Sequence, residues 1–211
     1  MKMRITEEIL WKESIFDIEL PESDNEAILD FYEQKVKETK GVQKSNIGGW
    51  QKEIKPGECK EYDDVLHLIN LGVQDIFKTQ YHVNIKTKVS NSWLNSNEMG
   101  ESNAFHTHPG SLFSGVYYVN ASKHKQNGHI NFVNTNHHVI EEYKHLMSNN
   151  LGADREETFA MGDHHESMRS HHSMPPNISH AYVFPPWVGH EVRRNPHEFN
   201  RLVIGMNFIA A

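Results

Sequence analysis

Cysteine is almost absent from this sequence of 211 residues, and Cys59 is its single thiol. One thiol cannot build an internal disulfide framework, and it excludes zinc and iron–sulfur centres that need several cysteine ligands. The sequence also has no apolar run near the roughly 18 residues that a membrane-spanning helix needs. Its first residues show no apolar core typical of a signal peptide. We therefore expect a cytoplasmic protein that makes no contact with a membrane.

Basic residues are also scarce. The chain has 21 lysines and arginines against 28 acidic residues, which gives a formal net charge of −7. It has no basic stripe to attract phosphates, so a nucleic-acid partner is not expected. Apolar residues make up 37% of the chain, but 4 Trp, 7 Tyr and 10 Phe supply large surfaces for a core. The composition predicts a folded protein.

Two helical segments are followed by many short strands. Apolar residues recur at helical spacing over 24–39 and 61–79, and alternation with period two begins at Tyr81. We predict a mainly β protein with N-terminal helices, whose core is a double-stranded β-helix, also called a jelly roll and similar to cupins. Residues 1–211 would form a single domain. In it, residues 1–80 are a helical buttress and 81–211 the jelly-roll core. A long His-rich loop at about 134–175 would form a lid or substrate rim.

The stretch "AFHTHPGSLFSGVYYVN", residues 104–120, holds the strongest chemical signal. Alternate residues of a strand point to the same face, so His106 and His108 would direct both imidazoles into one space. The strand that follows is nearly all apolar, which indicates that this space borders a core. His190 comes after a Pro-Pro-Trp turn at the start of another strand, and Arg201 opens the last strand. This order predicts a metal site with the cationic side chain of Arg201 beside it, where an anion could bind.

The same residues resemble a sequence pattern of the 2-oxoglutarate and Fe(II)-dependent oxygenase superfamily. The chain is most similar to a branch whose members are little characterised. The matching motifs are "HTHP", "SGVYY", "FPPWVGHEV" and the arginine after them, together with Trp93 and Asn95. They lie in residues 81–133 and 180–209, about two fifths of the chain.

The resemblance implies a dioxygenase that uses Fe(II), O2 and the co-substrate 2-oxoglutarate. Oxidative decarboxylation of 2-oxoglutarate would be coupled to hydroxylation of a substrate that the sequence does not identify, a small molecule or a peptide. Arg201 would bind the distal carboxylate of 2-oxoglutarate, since a planar guanidinium pairs with a carboxylate through two parallel bonds. The implied metal ligands and catalytic residues are His106, His108 and His190. The residues expected to line the co-substrate pocket are Tyr117, Ser114 and Asn207, with Tyr118, Asn103 and Asn95 as further candidates.

One departure from the superfamily pattern concerns the ligand set. Most members carry His-x-Asp, whereas His108 stands at the Asp position here. Three outcomes follow: His108 replaces the carboxylate and gives a three-histidine site, another residue such as Glu191 or Asp163 supplies the third ligand, or iron chemistry has been lost. A site of three imidazoles also suits zinc.

Two other classes of protein compete with this interpretation. A cupin-like metal protein, either a three-histidine dioxygenase or an isomerase, would need no 2-oxoglutarate, and Glu101 near His106 suits such a site. A jelly-roll module that binds sugars or peptides would not be an enzyme. A homodimer is compatible with each of them.

Overall fold

The computed structural model of the chain describes residues 13–21, 24–122, 128–151, 169–196, 198 and 200–211. In chain order, its elements are β1 (Phe16–Glu19), α1 (Asn25–Glu38), β2 (Asn46–Ile47), β3 (Trp50–Glu53), α2 (Lys60–Gln80), β4 (Thr87–Asn97), β5 (Ser102–His106), β6 (Phe113–Asn120), β7 (Ile130–Val133), α3 (His137–Leu151), β8 (His171–Met174), β9 (His180–Phe184), β10 (Gly189–Val192) and β11 (Arg201–Ala210). None of the helices within these ranges has the length and apolar character that crossing a bilayer requires.

Two antiparallel sheets form the core. The larger has the strand order β1-β9-β6-β11-β4-β3, and the smaller has the order β2-β5-β10-β7-β8. From β4 to β7 and again from β8 to β11, consecutive strands alternate between the two sheets. This arrangement is the double-stranded β-helix, and the predicted fold class is confirmed.

Both N-terminal helices cover the outer face of the six-stranded sheet. Asp24 caps α1, since its Oδ1 accepts a hydrogen bond of 3.0 Å from the Ala27 N–H. Ile28 of α1 and Ile69 of α2 are fully buried in a core that they share with the sheet. Apolar residues at helical spacing in both helices therefore meet one face of β4, β6 and β11.

The two faces of β11 belong to different cores. Its residues Leu202, Ile204, Met206 and Phe208 belong to the core beneath the helices, whereas Val203 belongs to a second core between the two sheets. Since alternate residues share a face, Arg201 and Gly205 lie on the same side as Val203. The inner face of β11 therefore faces the space between the sheets, where the site lies.

Three segments differ from the sequence predictions. The strand expected from Tyr81 begins at Thr87, because the Tyr81 ring packs instead against Phe16, Phe77 and Phe113. The stretch "SNIGGWQKE", which reads as a loop, contributes β2 and β3. The segment 134–175 holds the helix α3 and the strand β8, which pairs with β7. Because β8 is an exposed edge strand, it carries no apolar alternation that the sequence could reveal.

Candidate metal centre

Two of the three candidate ligands are direct neighbours across adjacent strands. The strand β5 ends at His106, β10 begins at Gly189, and the register places His106 opposite His190. The centroids of the two imidazole rings are 4.4 Å apart. Antiparallel pairing of β5 with β10 therefore brings together residues that are 84 positions apart in the chain.

His108 reaches the same space from outside the strand. β5 ends at His106, so the prediction that both histidines lie on one strand is corrected. Just before the Pro109–Gly110 turn, the His108 N–H donates a hydrogen bond of 2.9 Å to the Pro186 carbonyl. Its Nε2 lies 3.4 Å from Nε2 of His190. The turn before β10 therefore anchors His108 beside His190.

The three histidines form a cluster of metal-ligating size. One ring nitrogen from each of His106, His108 and His190 lies within 4.8 Å of the others. Among the residues that the structure describes, no other group of three His, Cys, Asp or Glu side chains is this close.

Hydrogen bonds to the backbone fix two of the rings. Nδ1 of His106 lies 2.7 Å from the Ala104 carbonyl oxygen, and Nδ1 of His190 lies 3.2 Å from the Val188 carbonyl oxygen. A carbonyl only accepts, so each Nδ1 carries the proton and each Nε2 keeps its lone pair free. This is the arrangement that orients metal-binding histidines in proteins.

Burial keeps the imidazoles neutral. It lowers the pKa of His190 to about 3, and the nearby rings of His106 and His108 add to this effect. It lowers the pKa of His108 to about 4, again with a contribution from His106. Burial also lowers the pKa of His106. Neutral imidazole is the form that binds a metal ion, so no proton has to be removed at pH 7.

Arg201 is a buried cation in the same cavity. It is 3% exposed, and its Nη1 donates a hydrogen bond of 3.0 Å to Oδ1 of Asn97. Its guanidinium carbon lies 5.2 Å from the centre of the Tyr118 ring, and its Nε has no hydrogen-bond partner in the described part of the chain. No described carboxylate lies within ion-pair distance of it. A buried charge needs a counter-charge, so this guanidinium fits an anionic ligand.

The histidines and Arg201 share a single cavity of about 420 Å³, part of which is open to solvent. The lining is polar near Arg201 and apolar elsewhere. Besides the histidines and Arg201, it includes the polar residues Ser45, Asn95 and Asn103 and the residues Trp93, Gly115, Val116, Ile130, Phe184, Val192, Val203 and Gly205.

Three predicted pocket residues are not brought to this cavity. The Tyr117 hydroxyl donates a hydrogen bond of 2.9 Å to Oδ1 of Asn25, so Tyr117 faces α1, and its predicted place beside the co-substrate is corrected. Ser114 donates a hydrogen bond of 2.7 Å to Oδ1 of Asn207, whose Nδ2 in turn donates to Asn91 at 3.1 Å. Neither Ser114 nor Asn207 lines the cavity.

The alternative ligands make their bonds elsewhere. Oε1 of Glu191 accepts a hydrogen bond of 3.2 Å from Asn131, and Oε2 of Glu101 accepts one of 2.6 Å from the Glu98 N–H. Neither carboxylate lines the cavity. Asp163 lies outside the described residues.

Sequence reasoning missed Asn97, which binds Arg201. Its Oδ1 accepts one hydrogen bond from Arg201. It accepts a second, of 3.1 Å, from Nδ2 of Asn95, which lies two residues earlier on β4. The available signal was the alternation of asparagines with Trp93 in "NSWLNSN", which places Asn91, Trp93, Asn95 and Asn97 on one face.

Three imidazoles converge inside a double-stranded β-helix, beside a buried guanidinium that has no carboxylate partner in the described part of the chain. This combination is typical of a metal-binding protein with a subsite for an anion. A family model described as "Putative 2OG-Fe(II) oxygenase" matches residues 91–207, and the chain belongs to this family. Its cofactors are accordingly Fe(II) and 2-oxoglutarate, used with O2. The family assignment decides against a cupin-like protein without 2-oxoglutarate and against a binding module without enzymatic activity.

Solved structures agree on the fold. The chain is similar to a prolyl-4-hydroxylase from Pseudomonas putida, with 14% identity, a TM-score of 0.62, and coverage of 93% of this chain and 92% of that one. It is also similar to the epimerase SnoN from nogalamycin biosynthesis, with 10% identity, a TM-score of 0.62, and coverage of 93% and 78%. HygX from Streptomyces hygroscopicus, crystallised with nickel and 2-oxoglutarate, has 10% identity, a TM-score of 0.55, and coverage of 93% and 82%. No curated protein matches the chain significantly.

Proposed function

We propose that the protein is a hydroxylase in which His106, His108 and His190 hold Fe(II) and Arg201 holds 2-oxoglutarate. The observation that carries this proposal is the shared cavity. It joins three neutral imidazoles, one buried and two half-buried, to a buried cation that has no carboxylate partner among the described residues.

The three histidines supply a site with open positions. Their ring nitrogens converge from β5, β10 and the loop after β5, so protein ligands occupy one side of a metal ion and leave the other side free. Iron bound there supplies the chemistry that splits O2, removes CO2 from 2-oxoglutarate and oxidises a C–H bond. In this proposal His108 takes the place of the usual carboxylate ligand.

Arg201 would orient the co-substrate. Asn97 holds one guanidinium nitrogen, and the ring of Tyr118 lies beside the guanidinium. The free Nε and the remaining N–H groups can then donate to a carboxylate. A dicarboxylate bound at Arg201 would extend along the cavity toward the histidines, since all of them line the same space.

The substrate is expected to be a small molecule or a peptide. Hydroxylation is the simplest outcome of the shared chemistry, while the structural neighbours SnoK and SnoN are described as a carbocyclase and an epimerase. A cytoplasmic location, the absence of a nucleic-acid partner and a homodimer remain predictions from the sequence.

The test is turnover of 2-oxoglutarate without the substrate. The protein is incubated with Fe(II), ascorbate, 2-oxoglutarate and ¹⁸O₂, and succinate is measured by mass spectrometry. We expect succinate that carries one oxygen atom from O2. His190→Ala and His108→Ala should abolish it together with stoichiometric metal uptake, and Arg201→Met should abolish it while metal uptake remains. Succinate production that survives all three substitutions would contradict the proposed roles.

The outcome of the reaction on a substrate can be tested separately. Candidate small molecules and peptides are screened for stimulation of succinate release, and the mass of each product is measured. A gain of one oxygen atom from ¹⁸O₂ supports hydroxylation. A product that gains no oxygen would show a cyclase or epimerase reaction instead.

A further inference from the structure

The three candidate ligands differ in what holds their rings. His106 and His190 lie at strand ends, and each Nδ1 is bonded to a backbone carbonyl oxygen, of Ala104 and Val188 respectively. His108 lies in the loop after β5, and its Nδ1 has no hydrogen-bond partner among the described residues. Its ring is therefore oriented by neighbouring rings. On one side it stacks on His190, with centroids 5.2 Å apart and planes 13° apart.

The indole of Trp93 lies against that ring. The planes of Trp93 and His108 are 21° apart and their centroids are 5.9 Å apart, which is an offset stack. Trp93 lines the cavity and is partly exposed. Stacked aromatic rings attract each other beyond the effect of the area they bury, and they restrict each other's orientation.

Gly205 makes this position of the indole possible. It lies directly opposite Trp93 in the pairing of β11 with β4. A Cβ atom at Gly205 would lie 2.3 Å from Cε2 of Trp93 and 2.4 Å from its Nε1. Glycine weakens the interior of a strand, so its presence here is explained by the close approach of the ring.

We propose that Trp93, seated on Gly205, is a positioning residue that holds the His108 imidazole in place to bind iron. The proposal rests on the proposed function, because it assumes that His108 is a ligand. A carboxylate at this position would be short and close to the backbone. An imidazole on a loop reaches farther from the backbone, so a flat wall beside it removes orientations that do not bind metal.

The test measures metal binding and does not depend on turnover. The metal-free full-length protein is titrated with Co(II), the affinity is measured by calorimetry, and the visible absorption of bound Co(II) reports its ligand geometry. Trp93→Leu should weaken Co(II) binding about tenfold or more, the range for residues that orient ligands, and change the absorption bands. Trp93→Phe keeps an aromatic ring and should restore most of the affinity.

A second variant acts on the position of the indole and leaves the Trp93 and His108 side chains unchanged. Gly205→Ala should displace the indole and weaken Co(II) binding in the same direction as Trp93→Leu. The matched control is Gly189→Ala, where the new Cβ would lie 2.4 Å from the Phe105 ring. Gly189 precedes His190 on β10, so that Cβ points away from the metal site. The Phe105 ring is 56% exposed and can move aside, so this control should leave the Co(II) affinity and spectrum unchanged.

Thermal unfolding of each metal-free variant shows which of them fold. If Trp93→Leu does not fold, the comparison of Trp93→Phe with Gly205→Ala decides. Wild-type affinity and absorption bands in folded Trp93→Leu and Gly205→Ala would overturn the role of Trp93 while leaving the iron site intact. Failure of the wild-type protein to bind one equivalent of Co(II) would overturn the proposed function as well, so the two failures are distinguishable.

Discussion

The two faces of the six-stranded sheet are built from the same strands and serve different purposes. Toward the helices, β11 presents Ile204 and Met206, which are fully buried in an apolar core. Toward the smaller sheet, the same strand presents Arg201 and Gly205, which line the cavity. The helix-facing side therefore stabilises the fold, and the side toward the smaller sheet has less apolar packing and forms a binding surface.

The polar face shows how a buried site is kept stable. Asn95, Asn97 and Asn103 are each less than 9% exposed, and they bond to one another or to Arg201 and the backbone. Buried polar groups destabilise a fold unless they are paired, so this network offsets much of their cost. The guanidinium of Arg201 is the group left without an opposite charge in the described chain, and that is where a ligand is expected.

The largest effect on stability is expected on the helix-facing side. Ile204→Ala should lower the free energy of unfolding by about 4 kcal/mol, because it leaves a cavity in a fully buried core. Urea denaturation of the metal-free protein measures this loss. Ile204→Val should cost only about 1 kcal/mol. The folded Ile204→Ala protein should keep its Co(II) affinity, and a weakened metal site would show that the two faces are not separable.

The opposite pattern is expected on the inner face. Arg201→Met should weaken 2-oxoglutarate binding about 100-fold, since it removes one partner of a buried charge pair. Without ligand, the free energy of unfolding of this variant should equal or exceed that of the wild-type protein. The reason is that an apolar side chain of similar length replaces a buried charge. Calorimetry with the Co(II)-loaded protein measures the affinity. An Arg201→Met protein that binds 2-oxoglutarate with wild-type affinity would contradict the role of Arg201 as the co-substrate ligand.

Acid should destabilise the metal-free protein through the histidine cluster. The pKa of His190 is about 3 in the folded state and about 6.5 in an unfolded chain. Between these values the unfolded state binds more protons, so stability is full above about pH 6.5 and falls as the pH falls. From pH 8 to pH 5 the loss from His190 is about 2 kcal/mol. Urea denaturation at both pH values should show that His190→Phe loses less unfolding free energy than the wild-type protein. An equal loss would contradict the lowered pKa of His190.

The smallest of these effects is expected far from both faces, at the start of α1. Asp24→Ala removes the side chain that accepts from the Ala27 N–H and should cost about 1 kcal/mol. Asp24→Asn keeps the cap and should cost little. Thermal unfolding measures both variants. A change in Co(II) affinity in either variant would show that the helical layer influences the metal site, so that the two faces of the sheet do not act independently.

Much of the site was predictable because its parts carry distinct local signals. His106 and His108 are separated by one residue, and Arg201 opens a clear final strand. The placement of Tyr117 was not predictable in the same way. β6 is buried on both faces, so "SGVYY" has no alternation that shows which tyrosine faces inward. The edge strand β8 was hidden for a related reason, since its polar sequence has no apolar period.

The support of His108 by Trp93 could not be read from the sequence at all. It depends on the register of β4 against β11, which places Gly205 opposite Trp93, and on the loop after β5, which brings His108 over the indole. Both are contacts between residues distant in the chain, and a single glycine inside a strand does not show which ring it accommodates.

The most direct test of the central claim is a crystal structure of the protein loaded anaerobically with Fe(II), with the metal located by anomalous scattering. The account predicts one iron peak about 2.0–2.2 Å from a ring nitrogen of each of His106, His108 and His190, the usual span for nitrogen and oxygen ligands. An iron peak at another site, or one whose third protein ligand is a carboxylate in place of His108, would contradict it.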